Sequence, residues 1–461
     1  MSLPGIDQAV EKLRADGAGR ATIETFRLHA ERLAAGERGE LPESVIEPAT
    51  DVPDMEALPE PGEGAGALLD RTVVIKLNGG LGTSMGMTKA KSLLPVRDGA
   101  SFLDLIARQI LALREHYADA RPRLPLVLMD SFRTSEDSRA ALARYGDLSG
   151  DLAADFLQGR VPKLLDDGSL APVSWPADPD LEWNPPGHGD LYAALHGSGM
   201  LGTLLEQGFR WAFVSNADNL GATLDPRILA WIAAEDVPFL MEVADRTEAD
   251  RKGGHLAQRA GGGGLVLREV AQTPEADLDA FQDIERHRYF NTNTVWLDLE
   301  RVAADLEGDA VIDLPMIVNR KTVDPADPAS PKIIQLETAM GAAIASFPGA
   351  RALRVPRTRF LPVKTTDDLL VLRSDAYVTG DDGRVALAPG RTRAPLAKLD
   401  AAHYKLIDDF EARFPHGPPS LIEADALTVE GDVRFGADVI VRGSATVTGP
   451  EAVPDGAVLG A

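Results

Sequence analysis

Residues 77–92, LNGGLGTSMGMTKAKS, place four glycines and two lysines within one short stretch. Gly79, Gly80, Gly82 and Gly86 let the backbone turn tightly and approach a ligand without Cβ hindrance. Successive N–H groups in such a loop can cradle an anion, and Lys89 and Lys91 add positive charge. The pattern is neither G-x-G-x-x-G with a downstream acid nor G-x-x-x-x-G-K-[ST], which disfavours a dinucleotide fold and a P-loop. A second cluster is Pro185-Pro186-Gly187-His188-Gly189-Asp190. Its prolines fix the chain, and its glycines let His188 present a ring or an N–H to a ligand. A third, Ser215-Asn216-Ala217-Asp218-Asn219, closes an apolar run. A carboxylate at the carboxyl edge of a strand suits Mg²⁺, so Asp218 is the expected metal ligand with Asn216 beside it; capping of the next helix is the competing reading.

These loops need elements to carry them. Thr72, Val73, Val74 and Ile75 form a β-branched run, which predicts a buried strand over 71–77 directly before the glycine loop. Ser101 with Asp104 predicts a capped helix start, followed by Phe102, Ile106, Ile110 and Leu113 at helical spacing. LPLVLMD (124–130) and WAFVSNADN (211–219) predict further strands ending in polar residues. Strand, loop, helix repeated in this way implies an α/β fold with a mostly parallel sheet, whose ligands gather beyond the carboxyl ends of the strands. Residues 6–35 read as one or two amphipathic helices, and 41–69, rich in Pro, Glu, Gly and Ala, as an irregular connection.

The tail has its own period. Val429, Phe435, Val441 and Val447 fall six residues apart, as do Leu427, Val433, Val439 and Ala445; Gly431, Gly443 and Gly449 share the grid. A hexapeptide repeat predicts a small parallel β-helix whose ends need cover from the rest of the chain or another subunit. The domain reading is a helical segment and linker over 1–70, a catalytic domain over 71–377, a connection over 378–420 and the β-helix over 421–461.

The net charge of −24 over 461 residues argues against nucleic-acid binding, which wants a basic footprint. It leaves phosphate ligands open, because local lysines and N–H groups outweigh a distant, screened acidic surface. With no cysteine, thiolate catalysis, Cys-ligated zinc, iron–sulfur clusters and disulfides are excluded. No apolar run resembles a signal peptide or a membrane span, so a cytoplasmic enzyme with no membrane partner is expected.

The glycine loop resembles the signature of the eukaryotic-type UTP–glucose-1-phosphate uridylyltransferases (UDP-glucose pyrophosphorylases), within the wider L-x-G-G-x-G-T loop of sugar nucleotidyltransferases. The resemblance continues in order through NPPGHGDLYAAL (184–195), FVSNADNLGATLD (213–225), ADRKGGHLA (249–257), FNTNTVWLDL (290–299), IIQLETAMGAAIASFPGA (333–350) and RTRFLPVKTTDDLLVLRSDAY (357–377). It implies a Rossmann-like, GT-A-like nucleotidyltransferase with a mixed sheet flanked by helices, and a small left-handed parallel β-helix at the C-terminus. One departure is local. Where the family commonly has C-K-G-P-K-S, this chain has Met87-Thr88-Lys89-Ala90-Lys91-Ser92. Lys91 keeps the final lysine; whether Lys89 contacts the nucleotide stays open.

The resemblance also implies roles. Leu77, Asn78, Gly79, Gly80, Lys91 and Gly187 are expected at UTP. Gln158 lies where the family has a glutamine that recognises uracil, and an amide can read a base edge through both donor and acceptor. His188, Asn216, Gly254, Asn291, Asn293 and Glu337 are expected at the sugar phosphate, with Lys252 a weaker candidate. Lys364 and Lys91 are the expected catalytic lysines; outside the motif, Lys364 would read as a solvated surface side chain. The implied reaction is UTP plus α-D-glucose 1-phosphate giving UDP-glucose and diphosphate, reversibly, with Mg²⁺. The sugar phosphate is already anionic, so catalysis is mainly positioning and charge neutralisation during in-line attack. Rival readings are another sugar 1-phosphate, of galactose or N-acetylglucosamine, and a non-catalytic sugar-nucleotide binder. The β-helix is a candidate surface for homo-oligomer contacts.

Overall fold

The computed structural model describes residues 4–306, 311–450 and 452–460; residues 1–3 of the expected N-terminal segment, 307–310 of the expected catalytic domain, and 451 and 461 of the expected tail lie outside them. Two helices come first, α1 (Pro4–Ala15) and α2 (Arg20–Ala34), and their apolar faces bury Ile6, Val10, Leu13, Ile23 and Phe26. The next stretch corrects the expectation of an irregular connection. It holds a short strand, β1 (Ile46–Pro48), and a helix over Ala65–Asp70. Ile46 is buried beside Ala257 and Val266, and this apolar anchor pins β1 to the edge of the large sheet.

That sheet has ten strands. After β1 come β2 (Thr72–Asn78), β3 (Leu126–Asp130), β4 (Asp155–Leu157), β5 (Trp211–Asn216), β6 (Phe239–Asp245), β7 (His255–Arg259), β8 (Leu265–Arg268), β9 (Tyr289–Asp298) and β10 (Arg351–Arg354). The main path runs β1-β7-β9-β5-β2-β3-β4, with β6 and β10 beyond β9 and β8 beside β7. Strands β5, β2, β3 and β4 are mutually parallel. Beyond β5 the sheet turns largely antiparallel, so the expectation of a mostly parallel sheet holds for only one side. Chain length explains the change: five residues join β7 to β8, enough for a hairpin and too few for a helical crossover.

The parallel strands are buried on both faces, as their near-continuous apolar runs require. Val74, Leu126 and Phe213 face one layer with the helix Phe102–His116. Val73, Val127 and Val214 face the other, with the helices Leu191–Gly197 and Met200–Glu206. Ser101 and Asp104 form the expected capping box. All four parallel strands therefore end on the same side, and the glycine loop, residues 158–160 and residues 217–219 emerge together.

The tail is parallel-stranded. Leu427 pairs with Ala445, Val429 with Val447 and Arg434 with Ala452, each pair eighteen residues apart, which is three hexads. Leu396–Leu399 also pairs parallel to the first tail strand, Ser420–Glu430. Buried Val429, Val433, Phe435 and Val441 join the apolar layer that covers the main sheet. Phe414 stacks on Phe435 with ring centroids 4.8 Å apart, so the rest of the chain covers one side of the tail.

Candidate active site

A cleft of about 320 Å³ opens at the carboxyl ends of β2 and β5. Leu77, Asn78, Gly79, Gly80 and Lys91 line one wall, and Gln158 stands beside them. Gly187 and His188, with Asn216 and Asp218, line the rest. Ten of the expected residues, drawn from four separate segments, thus share one space. Lys89 is exposed and outside this lining, whereas Lys91 is part of it.

Each wall has a local cause. The Asn78 side chain points away from the cleft and donates to Asp130 Oδ1 at 2.7 Å and Ser138 Oγ at 2.8 Å. That leaves the backbone of the glycine loop to meet a ligand. Burial pushes the Asp130 carboxyl up to about 6, against the hydrogen bonds from Thr134 and Asn78. Gly79 leaves room for the Gln158 amide: a Cβ there would lie 2.4 Å from Gln158 Oε1 and push that side chain aside. The Lys91 N–H donates to the Gly80 carbonyl at 3.0 Å, which folds the loop back. Lys91 Nζ then reaches Asp218 Oδ2 at 2.7 Å. The expected phosphate lysine and the expected metal ligand are therefore an ion pair.

The histidine turn is set by Gly187, whose φ of +79° and lack of Cβ let it sit on Thr338. His188 Nδ1 accepts from the Met340 N–H at 3.0 Å. Burial lowers the ring to about 4, so the imidazole is neutral and carries its proton on Nε2. It serves as a hydrogen-bond donor near neutral pH. Asn293 lies 3.5 Å from His188 Nε2 and donates to Asn216 Oδ1 at 3.4 Å. A register shift opposite β6 and a φ of +60° at Asn293 mark a bulge that turns this side chain inward. The Asn291 side chain accepts the Asn293 N–H at 2.9 Å and so supports the bulge.

The remaining expected residues stand apart from the cleft lining. The Gly254 carbonyl accepts the Asn291 N–H at 3.0 Å, and a Cβ on Gly254 would lie 2.4 Å from Glu269 Oε1. Lys252 is exposed. Glu337 lies below the Gly187 turn, on a cavity of about 30 Å³ that it shares with Asp190. Lys364 is exposed, with Nζ 5.9 Å from the centre of the Phe360 ring. Its segment docks on the end of β5: Val363 N–H donates to the Asp218 carbonyl at 3.3 Å and Leu361 N–H to Asn219 Oδ1 at 2.7 Å. Beneath, Arg359 grips Glu242 through two bonds of 2.7 Å.

Sequence reasoning overlooked Ser92, Asp190 and Glu269. Ser92 lines the cleft with a buried hydroxyl that has no partner among the described residues. Its position directly after Lys91 was the available signal. Glu269 faces Gly254, and burial pushes its carboxyl up to about 7 against the charge of Lys364. Nothing local in its sequence marks it.

The described residues hold no group of three or more His, Asp or Glu side chains placed for a metal. Asp218 is the one carboxylate in the cleft lining. This donor set fits no all-protein cage. It fits a hard cation such as Mg²⁺, which takes its other ligands from phosphate and water.

No helix among the described residues is long and apolar enough to cross a membrane. The sequence model described as UTP–glucose-1-phosphate uridylyltransferase matches residues 23–442. The chain is 40% identical over 438 residues to the barley (Hordeum vulgare) UTP–glucose-1-phosphate uridylyltransferase, covering 93% of this chain and 90% of that one. It is 42% identical to the Saccharomyces cerevisiae enzyme of the same name, over 85% of this chain and 77% of that one. A UDP-glucose pyrophosphorylase structure from Leishmania major superposes with a TM-score of 0.92 at 46% identity, covering 100% of this chain and 98% of the other. A mutant of that enzyme in complex with UDP-glucose matches with a TM-score of 0.92 at 46% identity, over 99% of this chain and 98% of that one. By sequence and by fold, the chain belongs to the UTP–glucose-1-phosphate uridylyltransferase family.

Proposed function

We infer that this chain joins the uridylyl group of UTP to α-D-glucose 1-phosphate, giving UDP-glucose and diphosphate, by reversible in-line attack at the α-phosphorus. Family membership supports the reaction. The observation that carries the site is the convergence of Gln158, Lys91, Asp218, His188 and Asn216 on one cleft.

In this reading the glycine loop and Lys91 hold the triphosphate, while the Gln158 amide and Gly187 meet uracil. His188 donates its Nε2 proton to the sugar phosphate, and being neutral it does not trap that anion as a tight ion pair. Asn216, Asn291 and Asn293 face the hexose. The Asn293 Oδ1 atom, buried and without a partner among the described residues, supports a role as acceptor for a sugar hydroxyl. Gly254 and Glu337 complete the sugar side, and we add Glu269 to it. The sugar phosphate oxygen attacks without a general base, so the lysines act on charge: Lys91 on the bound phosphates and Lys364 on the departing diphosphate. Asp218 would hold Mg²⁺, which when bound would supply positive charge against that of the phosphates. Lys91 keeps Asp218 paired until those phosphates arrive.

The tail is read as a short left-handed parallel β-helix. Val458, 52% exposed on its last strand, makes that strand a candidate contact for a second copy, which sedimentation would test. We place the enzyme in the cytoplasm, which cell fractionation would test.

The direct experiment is diphosphate release by the purified chain with UTP, Mg²⁺ and a panel of sugar 1-phosphates. Robust release with glucose 1-phosphate supports the reading. Release only with the galactose or N-acetylglucosamine ester would reassign the substrate. No release with any would leave a binding protein.

A further inference from the structure

Three consecutive residues after β4 are anchored to three different parts of the molecule. Gln158 N–H donates to the Asp130 carbonyl at 2.7 Å, extending the β3–β4 pairing. Gly159 N–H donates to Asp190 Oδ2. Arg160 lies 4.7 Å from the Trp183 ring centre, and its Nε donates to Asp16 at 2.9 Å. The Arg160 pair is at the surface, where such pairs contribute little.

Asp190 is a different kind of anchor. It is 5% exposed, and the Gly159 N–H is the one hydrogen bond its carboxylate makes among the described residues. Burial pushes it up to about 7, so keeping it ionised costs the fold free energy. The fold bears that cost for a single contact, the one with Gly159. A Cβ on Gly159 would lie 3.2 Å from both Asp190 carboxylate oxygens, so these two groups touch. On the other side of Gln158, its amide presses on Gly79. Asp190 itself follows the Gly187–His188 turn. The contacts form a chain from the histidine turn, through Asp190 and Gly159, to Gln158 and the glycine loop.

We propose that Asp190 is a positioning residue for base recognition: its carboxylate holds Gly159 and so sets the Gln158 amide, making the histidine turn and the base-reading loop one unit. This rests on the reading of Gln158 as the group that meets uracil.

Steady-state kinetics with UTP and CTP, each with glucose 1-phosphate and Mg²⁺, test it. Asp190→Ala should raise the KM for UTP about fivefold or more and lower UTP-over-CTP selectivity by a similar factor, with kcat and the KM for glucose 1-phosphate within about twofold. Asp190→Asn keeps an oxygen for the Gly159 N–H and should restore both readouts to within about twofold of wild type. Gly159→Ala keeps the carboxylate but crowds it, and should raise the UTP KM alone by about threefold. It is the deciding variant if Asp190→Ala does not fold. An unchanged UTP KM in either Asp190→Ala or Gly159→Ala would overturn the proposal. So would equal damage to both KM values and kcat. Gln158→Leu separates the two ideas. If it leaves selectivity intact, base reading by Gln158 itself fails. If it abolishes selectivity while Asp190→Ala does not, only the linkage fails.

Discussion

The two sides of the cleft are built to different standards. On the side proposed to bind the nucleotide, polar groups are held from beneath: Asn78 by Asp130 and Ser138, and Lys91 by Asp218 at 2.7 Å. Lys364, outside the cleft lining, is exposed, and its segment, not its side chain, is what the fold secures, through Asn219 and the Arg359–Glu242 pair. A preorganised surface favours binding. In the proposed mechanism an exposed cation contributes where charge moves, as diphosphate leaves. If the proposed roles hold, affinity for UTP and stabilisation of the transition state are separable by residue.

The sharpest way to break this contrast is Lys91→Ala. It leaves Asp218 without its cation and removes the proposed phosphate contact, so kcat/KM should fall on the order of 10²–10³-fold in steady-state assays. A loss below about threefold would move phosphate binding elsewhere. Next comes Lys364→Ala, for which kcat should fall at least about tenfold with the UTP KM nearly unchanged, if the side chain acts on the leaving group as proposed. Circular dichroism should match wild type, because the side chain is exposed. A UTP KM that rises as much as kcat falls would erase the distinction between the two sides. Asp218→Asn should shift the Mg²⁺ midpoint of activity upward by roughly threefold or more; an unchanged titration removes Asp218 from the metal.

The smallest effect concerns stability. Burial raises Asp190 from 3.8 to about 7, so between those values the folded state holds more protons than the unfolded one. Stability therefore falls as pH rises through that window, and the full penalty stands above it. Asp190→Asn removes the penalty and should gain about 1–3 kcal/mol at pH 8. Near pH 4 it should match wild type. Denaturant melts at the two pH values measure this, and an equal effect at both would contradict the assignment.

What the chain discloses directly is local. The glycine loop, the capped helix after Ser101 and the hexads of the tail are each written in adjacent residues, and their strands, cap and eighteen-residue register follow. Gathering the glycine loop and residues 216–218 was legible too, because apolar runs that end in polar residues put their loops on one edge; Gln158 was reached only through the family resemblance. What stayed hidden depends on distant partners. Asp190 meets Gly159 from 31 residues away. Glu269 finds Gly254 only through the β7–β8 hairpin. Asn78 was expected at UTP, and its amide turns inward to a carboxyl 52 residues on. The antiparallel half of the sheet and the docking of β1 were equally opaque, since short connections and a single buried Ile46 decide them.

The most direct test of the account is a crystal structure of this chain with UDP-glucose. The account predicts uracil against Gln158 and Gly79, the diphosphate bridge between the glycine loop and Lys91, and the hexose toward His188 and Asn293. A product bound outside the cleft between β2 and β5, or inside it with the sugar against Gln158, would contradict it.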